Sequence, residues 1–122
     1  MSATAFSEAL RAVAGRIPEV EVLMIIGTDG IPVEKLLVRV DANSDVVAAE
    51  LTALLRASVS ASQDTGLGVL RELTVVTERA TTLLVSITPE YFLFASLAPG
   101  AIVGRARFAL RLAGFALLRE FD

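Results

Sequence analysis

The chain has 122 residues, enough for one domain built round a single core. Apolar residues make up 54% of it and the mean hydropathy is +0.66, high for a free-standing monomer, so part of the surface is expected to be buried between chains. A net charge of -3 argues against a phosphate-backbone binder, and the lack of cysteine and histidine removes disulfides, thiol nucleophiles, thiolate metal sites and the usual acid–base groups.

Phe6, Leu10, Val13 and Ile17 recur at spacings of four, three and four, which is one stripe of a helix, with Glu8, Arg11 and Arg16 off it. Thr4 offers an N-cap and Pro18 stops the helix. Residues 1–5 lack the basic and apolar regions of a signal peptide, and no uncharged run of about twenty apolar residues occurs, so a cytoplasmic protein with no membrane insertion is expected.

An apolar strand over residues 20–26 turns back through Thr28-Asp29-Gly30 into a second strand over 32–40, where Pro32 and the charges of Glu34, Lys35 and Arg39 suit a sheet edge. The polar stretch Asp41-Ala42-Asn43-Ser44-Asp45 offers N-caps for a long helix over 46–65, ended by Gly66 and Gly68. Its expected buried stripe is Val47, Leu51, Leu54, Leu55 and Ser58. Glu50, Arg56, Ser60, Gln63 and Asp64 fall on other faces, and the small residues Ala53, Ala57, Ser60 and Ala61 line a third flank.

Three strands follow at 70–78, 82–87 and 91–97, with Arg79-Ala80-Thr81 and Thr88-Pro89-Glu90 as turns, forming an antiparallel meander. Ala98-Pro99-Gly100 then opens a last helix over 102–121. Phe108, Leu110, Leu112, Phe115, Leu117, Leu118 and Phe121 go most of the way round it, so it is expected to touch both the sheet and the first helix. Its arginines 105, 107 and 111 read as a solvated helix surface in preference to an anion site.

The order helix, two strands, helix, three strands, helix gives an α+β domain spanning 1–122 with a five-stranded antiparallel sheet in the order 2-1-5-4-3. Both outer strands are open edges, and the segment Leu73-Thr74-Val75-Val76-Thr77, guarded only by Glu72 and Glu78, is expected to pair with a second copy of itself.

Chemistry finds little purchase here. The fourteen acidic residues show no tight cluster, so neither a metal site nor a carboxylate pair is assigned. Ser58, Ser60 and Ser62 have no base to activate them, and Gly66-x-Gly68 lacks the lysine and strand-to-helix setting of a phosphate loop. Met24, Tyr91, Phe92 and Phe94 could line a small-molecule pocket, but aromatics at strand alternation read first as core. No catalytic residue and no cofactor are expected, and the chain is not read as an enzyme.

With Ile17-Pro18-Glu19-Val20, the apolar strand 22–26, the turn and strand Thr28-Asp29-Gly30-Ile31-Pro32-Val33, the alanine-rich helix, the meander and the closing helix, the chain resembles the Roadblock/dynein light chain family over nearly its whole length. The resemblance implies a profilin/longin-like sandwich that forms dimers with a continuous sheet and side-by-side middle helices. It also implies a platform for Ras-like small GTPases, with any stimulation of GTP hydrolysis achieved without catalytic residues of its own. A nucleotide-independent assembly scaffold is the alternative. The expected partner or dimer helix face is Glu50, Ala53, Arg56, Ala57, Ser60 and Gln63, and the expected dimer strand edge is Leu73, Val75 and Thr77. Arg56 and Arg79 are the candidates for an arginine finger, each more simply a solvent-facing side chain.

Overall fold

In the computed structural model, which describes residues 3–39 and 43–121, the stripe Phe6, Leu10, Val13 and Ile17 lies on the buried side of helix α1 (Ala3–Arg16) and its exit. Next come β1 (Val20–Gly27) and β2 (Pro32–Leu37), then helix α2 (Ser44–Asp64). The meander β3 (Glu72–Val76), β4 (Thr81–Thr88) and β5 (Tyr91–Leu97) leads into α3 (Val103–Leu118) and a 3-10 turn, Arg119–Phe121. The expected end of the second strand at Val40, and Asp41 and Ala42 of the polar turn, lie outside the described residues, while Asn43 takes the N-cap position of α2.

The β1–β2 hairpin turns where Asp-Gly predicts. Gly30 sits at φ +87°, its N–H donates to the Gly27 carbonyl at 2.9 Å, and the Asp29 carboxylate accepts the Ile31 N–H at 2.9 Å. All strand pairs are antiparallel and the order is β2-β1-β5-β4-β3, so the central strand β5 lies between β1 and β4, leaving β2 and β3 as edges.

Strand alternation sends side chains to two cores. Leu23, Ile25, Leu83, Val85, Leu93 and Ala95 meet α1 and α3, whereas Val22, Met24, Ile26, Leu84, Phe92 and Phe94 meet Ala48 and Leu55 of α2. Met24, Phe92 and Phe94 are thus core, and Tyr91 stacks on Phe121, which stacks in turn on Phe6 of α1, with ring centroids 4.6 and 5.1 Å apart.

Several local expectations shift. Thr4 lies inside α1, and β2 stops at Leu37 because the amides of Val38 and Arg39 both donate to the Glu21 carbonyl, at 2.9 and 3.0 Å. β3 is shorter than expected at both ends. On α2, Leu55 is buried and Val47, Leu51 and Ser58 are half-buried. Leu54, however, is 45% exposed, and Ala48 and Thr52 take the inner positions, the Thr52 hydroxyl donating to the Ala48 carbonyl at 2.6 Å. On α3 the contacts with the sheet and with α1 are made by Ala106, Ala109, Leu110, Gly114 and Leu117, leaving Phe108, Leu112, Phe115 and Leu118 exposed.

Candidate interaction surface

α2 crosses one sheet face with its large inner contacts on Phe92 and Phe94, and its outer side carries Glu50, Ala53, Arg56, Ala57, Ser60 and Gln63, all exposed. Helical geometry sets Glu50, Ala53, Ala57 and Ser60 along one outward stripe that also contains the exposed Val46. Arg56 and Gln63 lie on one flank and the exposed Leu54 on the other. The stripe is mostly small and apolar, which lets another backbone come close.

Arg56 is already engaged: its guanidinium donates to the Thr28 carbonyl at 2.6 Å, tying the middle of α2 to the β1–β2 turn. Two serines of the helix bond back to its own backbone, Ser58 donating to Leu54 O and Ser62 to Ser58 O at 2.9 Å each. At the start of the helix, Lys35 of β2 bonds both carboxylate oxygens of Asp45 at 3.0 Å.

Beside the first half of α2 the sheet is uncovered. A groove of about 580 Å³ runs there, lined by Val22, Val75, Thr82 and Phe94 of the sheet, by Val46 and Glu50 of α2, and by Arg79 of the β3–β4 turn. Its outer side is the β3 edge. The β3–β4 register pairs Leu73 with Leu84 and Val75 with Thr82, so Leu73, Val75 and Thr77 share the α2 face. Flanking the ladder, Ser86 N–H donates to Arg71 O and Thr77 N–H to Ala80 O, both at 2.9 Å.

Backbone groups of residues two apart point the same way in an antiparallel ladder. Residues 71, 73, 75 and 77 therefore spend theirs on β4, and Glu72, Thr74 and Val76 turn theirs to the open edge. A strand added to β3 would bond to those three, with Leu73, Val75 and Thr77 supplying side chains above the seam.

The edge is held to the other face of the sheet by a carboxylate clamp that the sequence did not disclose. Glu72 accepts from Arg107 Nε at 2.6 Å, from Arg111 at 3.4 Å and from the Thr74 hydroxyl at 2.9 Å. Burial pushes the Glu72 carboxyl up, but the Arg107 and Thr74 hydrogen bonds and the charges of Arg107 and Arg111 outweigh it and hold the group below its ordinary value. Arginines 107 and 111, expected to be a solvated surface, thus converge on an anion that the chain itself provides.

Among the described residues no group of three or more His, Cys, Asp or Glu side chains could hold a metal, and no helix is long and apolar enough to cross a membrane. What this surface offers is an edge strand with open backbone groups, a groove and a small-residue helix face.

Comparison with known proteins bears on the same architecture. The family model described as Roadblock/LC7 domain matches residues 7–96. Among solved structures, a Roadblock/LC7 domain from Streptomyces avermitilis superposes with a TM-score of 0.80 at 16% identity, covering 91% of this chain and 92% of that one. Myxococcus xanthus MglB gives 0.87 at 10% identity, with 98% and 90% covered. MglC from Myxococcus xanthus gives 0.71 at 26% identity, with 95% and 98% covered. No curated protein sequence matches the chain.

Proposed function

The chain belongs to the Roadblock/LC7 domain family, and on that premise we propose that it is a dimeric interaction module, acting in the cytoplasm, that binds and regulates a Ras-like small GTPase. The observation that carries the reading is the open β3 edge lying beside the groove and the exposed small-residue stripe of α2. A second copy pairing β3 against β3 continues the sheet, satisfies the outward groups of Glu72, Thr74 and Val76, and brings the two α2 helices together over the two grooves. Ala53 and Ala57 then suit the helix contact, and Glu50, Arg56, Ser60 and Gln63 remain on its rim for the GTPase.

Regulation in this reading needs no catalytic group from the module. Hydrolysis of GTP on a Ras-like protein depends on positioning and charge stabilisation, so a partner that holds the switch loops in their competent arrangement accelerates it. The bond from Arg56 to Thr28 supports a positioning role for that arginine within the module over a finger reaching into another active site.

Two measurements test the proposal. Sedimentation equilibrium at micromolar concentration is expected to give twice the chain mass of 12.9 kDa; a monomer there would end the dimer reading. Affinity capture from lysate of the source organism, with a GTP analogue or GDP present, is expected to enrich a Ras-like GTPase in one nucleotide state only. Capture of the same partners in both states would make the protein a nucleotide-independent assembly scaffold instead.

A further inference from the structure

Charge is unevenly distributed over this acidic chain. Six of its eleven basic residues, but only two of its fourteen acids, lie on α1, α3 and the 3-10 turn, the layer opposite α2. Arg107 and Arg111 of that layer are spent on Glu72, whereas among the described residues Arg16, Arg105 and Arg119 make no ion pair.

The free arginines frame an apolar stripe. Arg105, Phe108, Leu112, Phe115 and Arg119 follow one another at spacings of three, four, three and four, a single line along the outer side of α3. Phe108 is 64% exposed and Phe115 76%, the latter more than any other phenylalanine or tyrosine of the chain, with Leu112 at 39% between them. Arg16 of α1 borders Leu112 across the shallow recess between the two helices.

We propose that this face of α1 and α3 is a peripheral contact site for an anionic phospholipid surface, with Phe108 and Phe115 reaching into the headgroup layer and Arg16, Arg105 and Arg119 meeting lipid phosphates. Aromatic side chains that project outward, ringed by cations, match a surface that has negative charge and no shape of its own to fit. Charge complementarity selects the occupant: neutral lipid leaves the arginines unanswered, and the chain's remaining surface, with its excess of acids, is repelled and stays turned away. The inference goes beyond the GTPase-binding reading and does not need it, because the whole stripe belongs to one chain. Antiparallel β3 pairing would place two such faces on the same side of a continuous sheet and double the contact.

The test is co-sedimentation of the full chain with vesicles of equal parts phosphatidylglycerol and phosphatidylcholine, against vesicles of phosphatidylcholine alone. The protein is expected to pellet with the first and stay in the supernatant with the second, and to be released by raising the salt roughly tenfold. Arg105→Gln/Arg119→Gln is expected to lower partitioning about fivefold per arginine removed, and Phe108→Ser/Phe115→Ser to lower it by at least about tenfold. All four positions are exposed, so both variants should melt with the unaltered chain, which separates lost binding from lost fold. Failure to pellet with the anionic vesicles, equal pelleting with both kinds, or unchanged pelleting of either variant would overturn the proposal. In the first case the face would be left to an acidic helix of a protein partner.

Discussion

The two faces of the sheet are covered in different ways. On one, α1 and α3 lie side by side and come close to the strands through small residues: a Cβ built on Gly114 would stand 3.4 Å from the Ser86 carbonyl, and Ala106 and Ala109 are buried beside it. Glu72 then bolts the edge strand to α3 through two arginines. On the other, a single helix rests on Phe92, Phe94 and Met24, tied down by Lys35–Asp45 and Arg56–Thr28, with a groove of about 580 Å³ beside it. One face is finished within the chain, and the other has room for a second chain. The contrast teaches that one side of the sheet is packed shut against its own chain, while the other keeps part of its strands uncovered.

Substitutions can break that contrast, and the largest effect is expected where both layers are compared directly. Leu110→Ala removes a fully buried side chain beneath α3 and is expected to cost about 2–5 kcal/mol in urea unfolding, whereas Leu54→Ala on the outer side of α2 should stay within about 0.5 kcal/mol. Comparable losses at both positions would mean that the α2 face is as closed as the other.

Next in size is the edge itself. Thr74→Pro removes a backbone N–H aimed outward and is expected to weaken self-association at least about tenfold in sedimentation while the monomer keeps its circular dichroism. Val75→Pro instead removes an N–H bonded to β4, and it should lower the melting temperature as well as the association. If the two variants behaved alike, the assignment of outward and inward backbone groups would be wrong.

The clamp at Glu72 gives a pH signature. Its carboxyl is held below the ordinary value of 4.5, so the stabilisation is present in full above that value and is lost as pH falls through the folded-state value, where the unfolded chain has already taken up its proton. Glu72→Gln is expected to cost about 1 kcal/mol at about pH 7 and progressively less as pH falls below 4.5, read as the difference between two unfolding curves. A deficit that persisted in acid would trace to packing and not to charge. The smallest effect is expected for Arg56→Ala, about 0.5–1 kcal/mol from its exposed bond to Thr28, with hydrogen exchange quickening in the β1–β2 turn and not in β4.

Much of this architecture was legible in the sequence, because helix stripes, the Asp-Gly turn and the short spacing of the last three strands are local signals. β5 begins and ends where alternation predicts, and the strand order follows from the need of α2 to carry the chain across the sheet. What stayed hidden depends on partners distant in sequence. Leu54 belongs to the apolar pattern of α2, yet its helix is rotated so that Ala48 and Thr52 are buried, Ala48 beside Phe92 and Phe94, and Leu54 is left outside. Nothing near Arg107 announces Glu72, and the backbone direction of Val75 is fixed only once β3 finds its register on β4. The exposed pair Phe108 and Phe115 reads from sequence as core, since periodicity tells which residues share a face and not which face is covered.

The aromatic stack of Phe6, Phe121 and Tyr91 reaches further than its three rings. It fastens the first helix to the closing turn, so almost the whole sequence lies in the loop it closes. Contacts of such span return their enthalpy only after the intervening chain has been ordered, which places the stack late in assembly and makes it a brake on opening more than a seed for collapse. The hairpins, whose partners are neighbours in sequence, are positioned to form first, and the distant pairing of β1 with β5 is the slower step that they prepare.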